Sequence, residues 1–196
     1  MDRPGRRGAA GAPRSRFLFG YEEALGYAVG EVVRDKDGIS AALAVLSLAA
    51  TARAAGRSLL GRWDALEAAH GVHLTAQISL HAPSPAGIMG RLRTAPPAAL
   101  AGRPVTGYED LAAGRGRTDG PGEGREPGLP PADVLIYHLP GARVVIRPSG
   151  TEPKLKAYLE IVEPATPRTL AAARAAAAER LEPLRAAVAD LVAEAC

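Results

Sequence analysis

Apolar positions recur along this chain with two different periods, and the change from one to the other divides it. Over 39–55 they fall at helical spacing, with Leu43, Leu46 and Ala50 on one stripe. The polar turn Asp35-Lys36-Asp37-Gly38 stands before that run as a candidate helix cap, and Gly56 ends it. A second helix is predicted over 59–69, where Leu60, Trp63 and Leu66 share a face, stopping at Gly71. From His73 the period shortens to two: Leu74, Ala76, Ile78 and Leu80 read as one face of a strand. Pro83 and Pro85 break it, and a short helix over 86–93 runs up to Pro96-Pro97. Further strands are predicted at 104–108, 134–139, 142–147 and 155–162, the middle pair joined by the tight turn Pro140-Gly141. A last helix over 169–195 carries Leu181, Leu184, Val188 and Leu191 on one side, and Pro183 is expected to kink it or start a new segment.

Three stretches lack such periodicity or are too short to show it. Residues 1–16, rich in Gly, Arg, Ala and Pro, read as a disordered basic tail. Phe17-Leu18-Phe19 is a short apolar run suited to a buried strand. Residues 112–131, dominated by Gly, Pro and charge, read as a mobile loop. The order of elements gives a fold class of α/β plus α+β. It has a partial α/β domain over 17–78 and a small α+β domain over 79–196.

Composition narrows the classes of function. Apolar residues make up 47% of the 196, but much of that is alanine and aromatics are only 4%, so the core is expected to be modest. No run approaches the roughly 18–20 apolar residues that span a bilayer. No apolar stretch follows the N-terminal arginines, so this segment is not expected to be a secretory signal. The single cysteine, Cys196, has no internal partner for a disulfide. The chain is therefore expected to be soluble and cytoplasmic, with no membrane partner. Its net charge of +3 comes largely from the tail, where Arg3, Arg6, Arg7, Arg14 and Arg16 face one acid, Asp2. Without interleaved aromatics or a nucleic-acid module, that tail does not argue for a nucleic-acid partner. His70, His73, His81 and His138 are scattered without acidic or cysteine partners at metal spacing, so no metal site is expected.

The stretch Arg147-Pro148-Ser149-Gly150-Thr151-Glu152-Pro153-Lys154 concentrates the chemistry. A strand delivers Arg147 to a turn bracketed by two prolines. Gly150 permits backbone shapes that turn consecutive N–H groups toward an anion, and Ser149 and Thr151 add hydroxyl donors. The planar fork of Arg147 can hold two phosphate oxygens. Lys154 and Lys156 add positive field, although alternation leaves open which face Lys156 takes. Residue types alone leave two readings, a phosphate-binding loop or an ordinary structural turn. The surroundings are strand–loop–strand and the glycine–lysine pattern of a P-loop is absent.

Arg147–Glu160, RPSGTEPKLKAYLE, resembles the signature of the last domain of α-D-phosphohexomutases, the phosphoglucomutases and phosphomannomutases. FGYEEALGY at 19–27, followed by DKDGIS at 35–40, is similar to that family's sugar-binding loop and the helix behind it. The branch resembled contains bacterial phosphoglucomutase/phosphomannomutase and phosphopentomutase enzymes. The resemblance runs from Phe17 to the C-terminus. It implies the remainder of a third α/β domain followed by the small C-terminal α+β domain. It also implies that Arg147, Ser149, Gly150 and Thr151 hold the substrate phosphate and that Glu22 hydrogen-bonds sugar hydroxyls. Glu23 is either a second sugar ligand or a solvent-facing acid. Many members carry a serine where this chain has Ala24, which leaves the identity of the sugar open.

In that family a phosphoserine carries the transferable phosphoryl group and an Asp-Gly-Asp loop holds Mg²⁺. This sequence contains neither a Ser-His-Asn run nor an Asp-Gly-Asp. No catalytic residue, metal ligand or cofactor is therefore assigned to it, Mg²⁺ being implied only for a full-length enzyme. Two readings follow: a fragment of a phosphosugar mutase, inactive alone and partnered by a missing N-terminal half, or a stand-alone sugar-phosphate-binding or regulatory module.

Overall fold

The computed structural model describes residues 16–22, 25–112, 115–118 and 131–195. The predicted tail therefore lies outside the described residues except for Arg16, as does Glu23. The chain divides into two compact units, Met1–Ala65 and Leu66–Cys196.

The first unit pairs β1 (Phe19–Glu22) with β2 (Gly26–Val29) as an antiparallel hairpin and continues into α1 (Gly38–Ala54). The start of α2 (Leu59–His70) also belongs to it. The apolar run at 17–19 does not form the buried strand expected of it. The strand begins at Phe19, and Leu18 and Phe19 are both exposed. One face of the hairpin instead gathers Phe19, Tyr21 and Tyr27, with ring centroids 6.1 and 6.3 Å apart. Asp37 caps α1 as its position before the apolar run predicts: its carboxylate accepts from the backbone N–H groups of Ile39 at 3.1 Å and Ser40 at 3.0 Å. Hydrogen bonding by Ser40, through hydroxyl and amide, and then by the Ile39 amide, holds the Asp37 carboxyl below its ordinary 3.8. A depressed carboxyl stabilises the fold above the unfolded pKa and stops doing so as pH falls through the folded one. The ¹³Cγ resonance of Asp37 is accordingly expected to titrate with a midpoint below 3.8. The Asp37→Asn variant should lose less stability over that acid range than the parent. A midpoint at or above 3.8 would remove the cap from the account.

The apolar stripe of α1 is not covered within this unit. Leu43 and Leu46 are 62% and 64% exposed, and Ile39, Val45 and Leu48 are exposed beside them. Leu60, Trp63 and Leu66 of α2 are likewise exposed. No single helix among the described residues is long and apolar enough to cross a membrane.

The second unit opens with β3 (Val72–His81), α3 (Pro85–Thr94) and the two-residue strands β4 (Ala99–Leu100) and β5 (Arg103–Pro104). Then come β6 (Gly107–Asp110), β7 (Arg115–Thr118), β8 (Leu135–Leu139), β9 (Ala142–Pro148), β10 (Lys154–Glu163) and α4 (Leu170–Glu194). Among the described residues six strands form one antiparallel sheet in the order β3-β10-β9-β8-β6-β7. The strand expected over 104–108 is split between β5 and β6, because Val105 and Thr106 turn their N–H groups to Ala98 and His138 carbonyls instead. Within the segment expected to be a mobile loop, Arg115–Thr118 pairs with β6, while 113–114 and 119–130 lie outside the described residues. All ten residues of β3 pair with β10, so the expected domain division after residue 78 falls inside one continuous strand.

Alternation decides the layering. Leu155, Ala157, Leu159 and Ile161 of β10 are at most 1% exposed, as are Val144 and Ile146 of β9 and Leu135 and Tyr137 of β8. They share one core with Ile88, Met89 and Leu92 of α3 and with Ala173, Ala177, Leu184, Val188 and Val192 of α4. Those five α4 positions recur at steps of four and seven, and the small alanines let the helix lie close to the sheet. The helix runs through Pro183 without a break rather than starting anew there. Arg180 ties α4 to the β8–β9 turn: it pairs with Glu163 and donates to the Pro140 and Gly141 carbonyls at 2.9 and 3.1 Å. Gly141 adopts φ +63°, and a Cβ there would sit 3.0 Å from the Val162 carbonyl oxygen, so both backbone and space call for glycine.

Candidate functional site

The face of the sheet opposite the helices carries the residues between the buried positions. On β10 these are Lys154, Lys156, Tyr158 and Glu160, and on β9 Arg143, Val145 and Arg147. Direct cross-strand partners share a face, and Lys156 lies directly opposite Arg147. The face taken by Lys156, left open by the sequence, is therefore that of Arg147. Two cations opposed on adjacent strands repel by up to about 1 kcal/mol unless an anion lies between or beside them.

The loop at this end of the sheet is closed by Ser149 N–H donating to the Lys154 carbonyl at 2.9 Å. The Ala82 N–H donates to the Pro153 carbonyl at 3.0 Å, holding the loop against the end of β3. Glu152 is exposed and forms an ion pair with Lys154, whose ammonium hydrogen-bonds it and holds its carboxyl below the usual range. Among the described residues, the N–H groups of Gly150, Thr151 and Glu152 and the hydroxyls of Ser149 and Thr151 donate to no protein acceptor. Three consecutive unpaired amides with two hydroxyls form a donor set suited to a tetrahedral oxyanion. Gly150 acts differently from expectation. Its φ lies outside the left-handed region, and a Cβ built there would meet nothing within 4 Å. Neither strain nor packing demands glycine; the missing side chain leaves the approach to the amides open.

Arg147 is half-buried on this face. One terminal nitrogen donates to the Tyr158 hydroxyl at 2.9 Å, and the other to the Pro148 carbonyl at 3.5 Å. Its guanidinium carbon lies 5.5 Å from the Tyr158 ring centroid. Further along the same face, Glu160 accepts from His73 at 2.9 Å and Arg143 at 2.8 Å. Burial raises the Glu160 carboxyl, but the His73 hydrogen bond and the Arg143 charge outweigh it and leave the group below its ordinary value. The sequence did not single out Tyr158, although alternation from Lys154 places it on this face two residues beyond Lys156.

Glu22 sits in the first unit, at the end of β1 opposite Gly26. Lys36 reaches across this end of the hairpin, its ammonium 3.5 Å from Glu22 and 3.2 Å from Asp35. Hydrogen bonding to Asp35, its charge, and then the charge of Glu22 raise the Lys36 ammonium above its ordinary value. A Cβ at Gly26 would lie 2.4 Å from Lys36 Cδ, so glycine makes room for that crossing. The Glu22 carboxylate is exposed and retains acceptor capacity beyond this one cation.

Two family models match the chain. Residues 9–66 match "Phosphoglucomutase/phosphomannomutase, alpha/beta/alpha domain III" and residues 108–177 match "Phosphoglucomutase/phosphomannomutase, C-terminal domain", together more than half of the chain. The chain is 40% identical over 151 residues to a "Probable phosphomannomutase" of Haemophilus influenzae, covering 74% of this chain and 28% of that protein. It is 32% identical over 149 residues to a "Probable phosphoribomutase" of Schizosaccharomyces pombe, covering 71% and 25%. A "Phosphopentomutase" of Mus musculus is 28% identical over 156 residues, covering 75% and 25%. The chain thus spans about a quarter of the length of these relatives. The chain belongs to the phosphoglucomutase/phosphomannomutase family, corresponding to a C-terminal part of such a protein, with segments of its domain III and its C-terminal domain.

Proposed function

We propose that this chain supplies the substrate-holding part of a phosphosugar mutase, an intramolecular phosphotransferase that interconverts hexose or pentose 1-phosphates with 6- or 5-phosphates. Arg147, Ser149, Gly150 and Thr151 hold the phosphate that is not reacting, and Glu22, with Glu23 beside it in sequence, accepts from sugar hydroxyls. The observation that carries this reading is the set of three unpaired amides at 150–152, set beside the opposed cations Arg147 and Lys156. A phosphate dianion satisfies all of them at once and relieves the cation repulsion. Two carboxylate oxygens on Glu22 suit adjacent sugar hydroxyls.

The chemistry itself needs a nucleophile to carry the phosphoryl group and a metal to spread its charge. The 196 residues contain no phosphoserine-loop or Asp-Gly-Asp sequence to supply either. A polypeptide of these residues alone is expected to bind a sugar phosphate and to turn none over. Glucose 1-phosphate with a bisphosphate primer, incubated with preparations free of host mutase, should give no 6-phosphate. Turnover proportional to chain concentration would overturn that part of the reading. The relatives' names cover both hexose and pentose phosphates, so the sugar class is left as both.

A further inference from the structure

We propose that Tyr158 is the positioning residue for Arg147. Its hydroxyl and ring hold the guanidinium in place for the phosphate before ligand arrives. The inference rests on the reading that Arg147 grips phosphate, and it adds the device that keeps the grip in place.

Three observations carry it. The first is geometric: Tyr158 accepts a hydrogen bond from a terminal nitrogen of Arg147 at 2.9 Å, with the guanidinium carbon 5.5 Å from its ring centroid. One aromatic residue thus engages both an edge donor and the delocalised cation. The second is placement. Tyr158 pairs with Val145 of β9 on one side and Gln77 of β3 on the other, so it stands on an interior strand and not on a mobile loop. The third is need. Lys156 is the direct cross-strand partner of Arg147, and without a counterweight its charge drives the arginine away into solvent. Arginine has about 2 kcal/mol of rotamer entropy to lose on being fixed, and a side chain already held gives up less of it on binding.

The hold leaves the arginine usable. Among the described residues, Arg147 donates to Tyr158 and to the Pro148 carbonyl. A guanidinium has five N–H groups, so three remain, enough for a two-point grip on phosphate oxygens.

The test is a titration of the ¹⁵N-labelled 196-residue chain with inorganic phosphate, following the Gly150–Glu152 amides, in the parent, Tyr158→Phe and Arg147→Ala proteins. Tyr158→Phe keeps the ring and removes the acceptor, so it is expected to bind phosphate roughly 5-fold more weakly. Its melting temperature should stay within about 2 °C of the parent, because the hydroxyl lies on the partly exposed face. In ligand-free protein, the parent Arg147 side-chain N–H resonances should show restricted guanidinium rotation that Tyr158→Phe relaxes, while its unchanged melting temperature and amide dispersion exclude loss of fold as the cause. Phosphate affinity equal to or tighter than the parent in Tyr158→Phe, with Arg147→Ala abolishing binding, would overturn the role of Tyr158 alone. Failure of the parent itself to bind phosphate would overturn the underlying reading and this inference together.

Discussion

Arg147→Ala is expected to weaken sugar-phosphate binding about 100-fold, measured by calorimetry on the 196-residue chain. Each hydrogen bond between the guanidinium and a phosphate oxygen contributes roughly 1.5 kcal/mol net or more, and the fork makes two, which together is about 3 kcal/mol. Arg147→Lys keeps the charge but cannot make the paired bonds, so it should recover only part, binding roughly 10-fold more weakly than the parent. Neither change touches the helix-covered core, since Arg147 points to the opposite face from Ile146 and the buried β10 residues. Melting temperatures of both variants should therefore follow the parent. Undiminished affinity in Arg147→Ala would show that the 150–152 amides hold the ligand without the guanidinium.

The largest effect on stability is expected from Leu159→Ala. Leu159 is 1% exposed at the middle of β10, the strand between β3 and β9, and sits in the core shared with α3 and α4. Removing its side chain loses the transfer free energy and leaves a cavity that the flanking strands cannot collapse to fill, about 3 kcal/mol in all. For a unit of this size that lowers the melting temperature by roughly 10 °C. Leu43→Ala is the contrasting case: the same change at a residue 62% exposed on α1 should cost less than about 0.5 kcal/mol. Equal destabilisation by the two, in thermal melts of this chain, would mean that the leucines of α1 are packed against something in solution.

That contrast also marks what could be read from the sequence. The runs at 74–80, 142–147 and 155–162 and the Pro140-Gly141 turn marked β3, β8, β9 and β10, because buried and open faces alternate along them, but not β6 or β7. Helical spacing gave α1 and α4. It could not say whether the leucines of α1 were covered, since a sequence pattern reports a preference for burial and not the presence of a partner. Of the two outcomes expected at Pro183, a kink or a new segment, the second does not occur: burial on both sides, at Ala177 and Leu184, accompanies one continuous helix. At the site, residue types and order placed a loop after β9 but left it open between a phosphate-binding loop and a structural turn. The position of Lys156 and the contact of Tyr158 with Arg147 were not, because both depend on register across β9 and β10, which only the pairing of Lys156 with Arg147 fixes.

The central claim is that this chain holds a sugar phosphate through the loop after β9. Its most direct test is an amide-resolved NMR titration of the 196-residue protein with glucose 6-phosphate and ribose 5-phosphate, using glucose as the unphosphorylated control. Saturable shifts centred on Gly150, Thr151 and Glu152 are expected for at least one sugar phosphate, and none there for glucose. Shifts at those amides that glucose matches, or none with either sugar phosphate, would contradict the claim.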